Sequence, residues 1–553
     1  MKSLFVAVLA FVMVSSTSFA QDAALQTQFD QLLQAQYPAD GPGAAVLVTR
    51  KGQVIYKKAV GMADMELDVP LKTDHVFRIG SVTKQFTAAA ILKLAEQGKL
   101  NLQDEITRFI PDYPTKGKKI TVEHLLNHTS GIKSYTSMEE WTPMVHRKDF
   151  TPTELVDFFK NQPMDFDPGT QYRYNNSGYI LLGVIIEKVS GKSYGAFIDE
   201  EFFKPLGMRH SYYGHVKPLI KNRANGYTEG EPSGFANADY LSMTQPYAAG
   251  SIMSTVEDLV TWTQAVHGGK VLKPESLKKA FKPNVLPDGT NTYYGYGWQI
   301  GNMMGSQTIE HGGGIHGFLS MLLYVKEEDV CVAILTNCDC NGPEPLADKF
   351  AALAAGKNLS PTAIKLETSV LEQYVGVYEN DKKEQRIITL EDGGLKSLRT
   401  GGSKYNIMPY AADQFYFENS MSRIRFVREP KGDKKVTKAF VSDRKTEENL
   451  WVKTDKPIPV GRPEMKLPEA QLESFTGEYQ LAPGFTITVT REGTQLFCQA
   501  TGQQRFEVFA EAPTRFFLKV VDAAIEFYPD EKGAVPQMTL FQGGQEIKGT
   551  RVK

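Results

Sequence analysis

Two short β-type runs, Ala44–Thr49 and Gln53–Lys58, flank Arg50-Lys51-Gly52 and predict a hairpin at the start of a sheet. Helical spacing of apolar positions marks Leu25–Gln36, which Pro38 ends, and the run Thr87–Leu94, with Gly98 as its stop. A third helix is expected over Ile120–His128 with its start near Thr121, a fourth over Tyr179–Val189 closed by Gly191, and a fifth over Thr255–Val266. Tyr294–Ile300 begins a strand, and Thr308–His311 leads into Gly312-Gly313-Gly314. Phe318–Val325 and Val330–Asn337 continue one antiparallel sheet.

Beyond about residue 360 the pattern changes to short strands and turns, such as Glu391-Asp392-Gly393-Gly394 and Glu531-Lys532-Gly533. Leu371–Tyr378 repeats as Leu472–Tyr479, which predicts two similar β domains joined by the linker Lys456–Pro463. The expected layout is a signal over 1–20, an α+β domain over 21–360, and β domains over 366–456 and 465–553.

The 553 residues exceed one ordinary domain, and 41% apolar with 23% charged residues describes a globular chain. A net charge of -2 favours neither nucleic acid nor an anionic membrane as partner. At the N-terminus, Lys2 precedes the apolar run Leu4–Val14, and Ser18-Phe19-Ala20 precedes Gln21. The run is short for a membrane span and reads as a cleaved export signal. The mature chain is therefore expected to start near Gln21, in the periplasm or outside the cell, with no transmembrane anchor. Cys331, Cys338, Cys340 and Cys498 form no disulfide framework. Cys338 and Cys340 stand too close for an easy bridge, so all four are expected as buried small side chains.

Ser81 and Lys84 stand three residues apart just before the helical run, which places Lys84 on the same helix face as Ser81. A serine hydroxyl needs a partner to take its proton. A lysine of lowered pKa can do so, and a helix N-terminus supplies N–H groups for an oxyanion. Serine in this place is also a common helix cap. Tyr174 and Asn176 lie on the loop before the fourth helix, where tyrosine can relay a proton and asparagine can orient an amide or the lysine. His311 precedes the glycines and can bind a carboxylate or shuttle a proton. His124 and His128, four apart, lack the carboxylate spacing of a zinc protease and read as structural histidines, with no metal expected.

Ser81-x-x-Lys84, Tyr174-x-Asn176 and His311-x-Gly313 occur in the order and spacing of a known family. Over roughly residues 30 to 355 the chain resembles the penicillin-recognising serine hydrolases of the class C β-lactamase type, which include D-alanyl-D-alanine carboxypeptidases, D-aminopeptidases and esterases. His124–Gly131, Phe166-Asp167-Pro168-Gly169 and Pro205–Met208 share in the resemblance. It implies a β-lactamase/transpeptidase-like antiparallel sheet flanked by helices, beside a helical region, with the site between them. It implies Ser81 as nucleophile, Lys84 as activator, Tyr174 as base or relay, and Asn176, His311 and Gly313 at the substrate. The N–H groups of Ser81 and Gly314 would form the oxyanion hole, with no cofactor. His311 stands where many β-lactamases of this type have lysine, which favours peptidase or esterase chemistry over β-lactam hydrolysis. The second tail copy resembles the lipocalin-like barrel appended to some of these hydrolases. A secreted hydrolase of D-amino-acid peptides, amides or small esters is the leading expectation. A β-lactamase, or a penicillin-binding sensor that acylates once, is the alternative. Whether Lys84 or Tyr174 takes the serine proton, and the oligomeric state, are left open by the sequence.

Overall fold

The computed structural model describes residues 23–214, 217–230, 233–400, 402–418, 420–429, 434–444, 448–459, 464–482 and 485–552. The expected signal segment and residues 460–463 of the expected linker lie outside these. The chain divides into two compact units, residues 1–359 and 360–553. No helix among the described residues is long and apolar enough to cross a membrane.

The first unit is built on an antiparallel sheet of six strands: β1 (Ala44–Arg50), β2 (Gln53–Val60), β3 (Gln299–Met303), β4 (Ser306–Ile315), β5 (Phe318–Val325) and β6 (Val330–Thr336). Their spatial order is β3-β4-β5-β6-β1-β2, so the N-terminal hairpin completes a sheet made mostly by the end of the unit. Thr336 pairs with Ala44 on one side and Leu319 on the other. The central strands β1 and β6 are buried almost throughout, which explains their continuous apolar runs: both faces are covered. Ala45, Leu47, Ala333 and Leu335 share a core with Leu259 and Val266 of the helix Val256–His267. Elsewhere on the sheet, Tyr56 packs on Phe29 of the N-terminal helix, 5.1 Å between centroids, and Phe29 on Phe350 of the helix Glu344–Ala354 at 4.5 Å.

The helical region centres on α1 (Thr83–Glu96). Ala88-Ala89-Ala90-Ile91-Leu92 gives it high helical propensity, and an apolar surface nearly all round makes it a core helix. Phe86 stacks on Trp262 at 4.0 Å, and the Trp262 indole N–H donates to Gln85 Oε1 at 3.0 Å. Emptying the Phe86 site would cost about 3–5 kcal/mol.

Four local readings are corrected. Tyr294–Trp298 is irregular and the strand starts at Gln299. Gly297 there has φ +83°, and a Cβ on it would meet the Lys84 carbonyl oxygen and the Ala88 methyl at 2.7 Å each, so the segment is shaped by its approach to α1. The three glycines lie within β4 and pair with β5 instead of following a strand. The helix α2 (Asn176–Ser190) starts earlier than its apolar face suggests, because Asn175 Oδ1 accepts from the Gly178 N–H at 2.8 Å and caps it. Cys338 and Cys340 are joined by a disulfide: the bend after β6 brings their Cα atoms to 5.3 Å, within ordinary disulfide range. Cys331 and Cys498 are buried and free.

The second unit holds two closed eight-stranded antiparallel barrels. One is sealed by Tyr378 pairing with Lys453, the other by Tyr479 pairing with Arg551. The repeat noted in the sequence is a structural device. Each copy carries a fully buried tyrosine whose hydroxyl donates to the carbonyl four residues earlier, Tyr378 to Tyr374 at 2.7 Å and Tyr479 to Phe475 at 3.0 Å. The barrel interiors are filled by their own side chains, among them Ile388, Phe415 and Phe426 in the first and Ile487, Phe516 and Phe527 in the second. Removing either hydroxyl strands a buried carbonyl, at a cost of about 1–3 kcal/mol. Tyr378→Phe and Tyr479→Phe should therefore each lower the urea midpoint of the full chain followed by circular dichroism. Unchanged midpoints would show that these hydroxyls carry no stability.

Candidate active site

Ser81 sits in a 3₁₀ turn, Gly80–Val82, that runs straight into α1. Gly80 has φ +49°, and a Cβ there would lie 2.9 Å from the Gly314 nitrogen, so the turn and β4 touch backbone to backbone. A Cβ on Gly313 would fall 2.1 Å from the Ile79 carbonyl oxygen, which instead accepts from Ser320 Oγ at 2.8 Å. The glycine run therefore presses the backbone of β4 against the nucleophile turn. The Ser81 amide stands in the first turn of a helical stretch, where amides lack an intrahelical acceptor, and Gly314 is its neighbour across the gap.

Lys84 is fully buried. Its Nζ donates to Ser81 Oγ at 3.0 Å, Asn176 Oδ1 at 2.9 Å and the Ala249 carbonyl at 2.9 Å. It also lies 4.8 Å from the Tyr174 ring centre and 5.4 Å from that of Tyr179. All three acceptors are neutral, and among the described residues no carboxylate forms an ion pair with it. Burial holds its pKa well below the ordinary lysine value. As a neutral amine it donates to Asn176 and Ala249 and receives the Ser81 O–H on its lone pair, so the same three contacts fit the base form.

Asn176 is committed on both ends. Its Oδ1 takes the Lys84 hydrogen bond and its Nδ2 donates to Thr136 Oγ1 at 3.0 Å, so here it orients the lysine. The Tyr174 hydroxyl is buried beside Ser81 without completing a hydrogen bond, and burial pushes its pKa up, partly offset by Ser81. His128 Nδ1 accepts from the Asn175 N–H at 3.1 Å, while its Nε2 is buried and unpartnered. Its ring packs on Tyr174 at 4.4 Å and on Tyr294 at 4.7 Å. His124, by contrast, caps its own helix by accepting the Thr121 N–H, so the two histidines of one turn serve different ends. Among the described residues no group of three or more His, Cys, Asp or Glu side chains is placed to hold a metal.

His311 is not a surface histidine. It is 2% exposed; its Nδ1 lies 2.6 Å from the Gly312 carbonyl and its Nε2 2.9 Å from the Tyr294 hydroxyl. A carbonyl only accepts, so Nδ1 carries the proton and Nε2 accepts from Tyr294. Burial, and then the nearby Lys84, hold its pKa down at about 3. The ring is a neutral brace between β4 and the Tyr294 loop, with no charge to offer a carboxylate.

The structure thus gathers Ser81, Lys84, Tyr174 and Asn176 around one point, with Gly313 and Gly314 against the nucleophile turn and His311 behind them. Sequence reading passed over Ala249, Thr136 and Tyr294. Tyr294 was read only as the start of a strand, and a backbone carbonyl acceptor such as that of Ala249 leaves no residue-type signal.

Residues 29–357 match the family model described as Beta-lactamase, and residues 461–551 match a domain of unknown function, DUF3471. The chain is 26% identical over 545 residues to penicillin-binding protein 4* of Bacillus subtilis (strain 168), covering 96% of this chain and 98% of the relative. Among solved structures, D-amino acid amidase from Ochrobactrum anthropi SV3, complexed with L-phenylalanine amide, is 28% identical with a TM-score of 0.53, over 61% of this chain and 98% of that one. A D-stereospecific amidohydrolase from Streptomyces sp. is 26% identical with a TM-score of 0.53, over 59% and 98%.

The neutral His311 has a consequence for acid stability. Its pKa falls from 6.5 in the unfolded chain to about 3 in the fold, so between those values the unfolded chain binds one more proton. The stability tied to this ring is present above about pH 6.5 and is lost as pH falls towards 3, by at most about 1.4 kcal/mol per pH unit. Urea midpoints between pH 7.5 and 4.5 should fall less steeply in His311→Gln than in the native chain. Parallel slopes would mean that His311 titrates normally.

Proposed function

This chain belongs to the β-lactamase family, whose members here are serine hydrolases, and from that premise we propose that it is an exported acyl-enzyme hydrolase of D-amino-acid peptides, amides or small esters. The observation that carries the reading is the 3.0 Å contact between the buried Lys84 Nζ and Ser81 Oγ, with no carboxylate paired to Lys84 among the described residues. Lys84 in its neutral form takes the Ser81 proton while Oγ attacks the substrate carbonyl carbon. The oxyanion is met by the Ser81 and Gly314 N–H groups. The carbonyl–nitrogen or carbonyl–oxygen bond then breaks, and the leaving group departs with a proton delivered through Lys84 and Tyr174. Water adds to the acyl-enzyme, one proton returns to Ser81, and the carboxylic acid leaves. The D-amino acid preference is supported by the likeness to the D-amino acid amidase and the D-stereospecific amidohydrolase. Export is supported by the apolar run after Lys2, and the Cys338–Cys340 disulfide suits an oxidising compartment. A β-lactamase is the weaker reading, because His311 supplies no cation for a β-lactam carboxylate.

Intact mass after incubation with benzylpenicillin should show one adduct on the Ser81 peptide of the native chain and none in Ser81→Ala. Ser81→Ala should also lower hydrolysis of a D-phenylalanine amide by about 10³-fold or more with an unchanged melting curve. An adduct elsewhere, or native-like turnover without Ser81, would sink the assignment.

A further inference from the structure

A cavity of about 580 Å³ borders the short helix Tyr247–Gly250 and is lined by Glu187, Tyr194, Asp199, Tyr212, Tyr213 and Tyr247, among others. That volume falls within the roughly 300–1,000 Å³ of small-molecule sites. Among the described residues its lining includes two carboxylates and no lysine, arginine or histidine. Asp199 is paired with Lys204 at 2.6 Å. Glu187 forms no ion pair among the described residues; its Oε1 accepts the Tyr194 N–H at 2.8 Å.

The aromatic walls are held in place. Tyr194 meets Tyr247 at 5.2 Å and Tyr213 at 5.6 Å between centroids, with ring planes 54° and 69° apart. Thr87 Oγ1 donates to the Ala248 carbonyl at 2.6 Å and so accepts from the Tyr194 hydroxyl at 2.7 Å. The next carbonyl, that of Ala249, is the one that meets Lys84. Tyr247 stands at φ +40°, a backbone region that bulky residues rarely adopt. Its ring covers Gly183 of α2 so closely that a Cβ there would clash with it, and Glu187 lies one turn further along that helix. The Tyr247 hydroxyl is buried without completing a hydrogen bond, and burial, followed by the Glu187 charge, raises its pKa. Fixed aromatic rings therefore stand beside a carboxylate that has no cation.

We propose that this cavity binds an organic ammonium ion, its charge on Glu187 and its alkyl groups against the tyrosine rings. The carboxylate and the negative faces of the rings both attract a cation, and the apolar body of the ligand covers ring surface. Walls locked by Thr87 and by the packing on Gly183 lose little freedom when a ligand enters. A neutral ligand of the same shape keeps the ring contacts but misses the charge, and an anion meets two carboxylates. Ser81, Lys84, Tyr174 and Asn176 are not among the lining residues, so the site is separate from the acylation site and does not rest on the Ser81 reading.

Calorimetry on the full chain tests the site with choline and with 3,3-dimethylbutan-1-ol, which replaces the quaternary nitrogen by carbon at the same shape. Choline should bind at least 10-fold more tightly than the alcohol. Glu187→Gln, which keeps the acceptor for the Tyr194 N–H, should remove most of that preference and leave the alcohol as it was. Asp199→Asn should change choline affinity less than 2-fold, because that carboxylate is paired with Lys204. Should Glu187→Gln fail to fold, Tyr212→Leu on the half-buried edge of the cavity keeps the test open, with choline weakened at least 3-fold. Equal affinities for the two probes, no choline binding at millimolar concentration, or equal losses in Glu187→Gln and Asp199→Asn would overturn the proposal. Benzylpenicillin labelling reports separately on Ser81, so failure of the nucleophile and failure of this site give different results.

Discussion

A lysine sealed inside the protein, with no paired carboxylate among the described residues, is the constraint on which the first unit is built. An unpaired ammonium in an apolar interior is costly, and the group responds by giving up its proton. That response is useful only if the lone pair then points at something that needs a base. The three oxygens around Lys84 come from three parts of the chain: Ser81 from the turn before α1, Asn176 from the start of α2, and Ala249 from a carbonyl of the short helix Tyr247–Gly250. Each must be held still, and the core does it. Phe86 on Trp262 fixes α1, while the Asn175 cap fixes the first turn of α2 and hence the position of Asn176.

The second constraint is steric and belongs to the backbone. The Ser81 turn and β4 stand closer than side chains permit. Gly80 and Gly313 remove the obstacles: a methyl on either would meet backbone atoms of the other segment at 2.9 Å or less. The Ser320 hydroxyl binds the Ile79 carbonyl and ties the two segments together at the point of approach.

These two constraints explain what could be read in advance. Strands β1, β2, β5 and β6 were legible because a sheet covered on both faces or packed in a hairpin writes its burial directly into residue type. Ser81 with Lys84, and Tyr174 with Asn176, stood out because their chemistry depends on side chains at short spacing. The start of α2 was missed by three residues because the cap acts through Asn175, outside the apolar stripe. The Tyr294 segment resembled a strand because aromatic residues alternate with glycine there, yet Gly297 serves the approach to α1 and Gly295 lies against the Ala280 carbonyl. The Cys338–Cys340 link depends on the bend after β6, a shape that spacing alone did not disclose.

His311 shows why residue type and residue role separate in a buried site. By the family resemblance it stood where many β-lactamases have a lysine, and on chemistry alone it could bind a carboxylate or shuttle a proton. Burial weighs against both: with Gly312 accepting from one nitrogen and the Tyr294 hydroxyl on the other, a charged ring would be cut off from water. A positive ring here would also raise the potential at Lys84 and press it further towards the neutral form, so the site gains nothing from charging it. Keeping the ring neutral leaves the base site free of fixed charge, so the Lys84 lone pair stays available to the Ser81 proton.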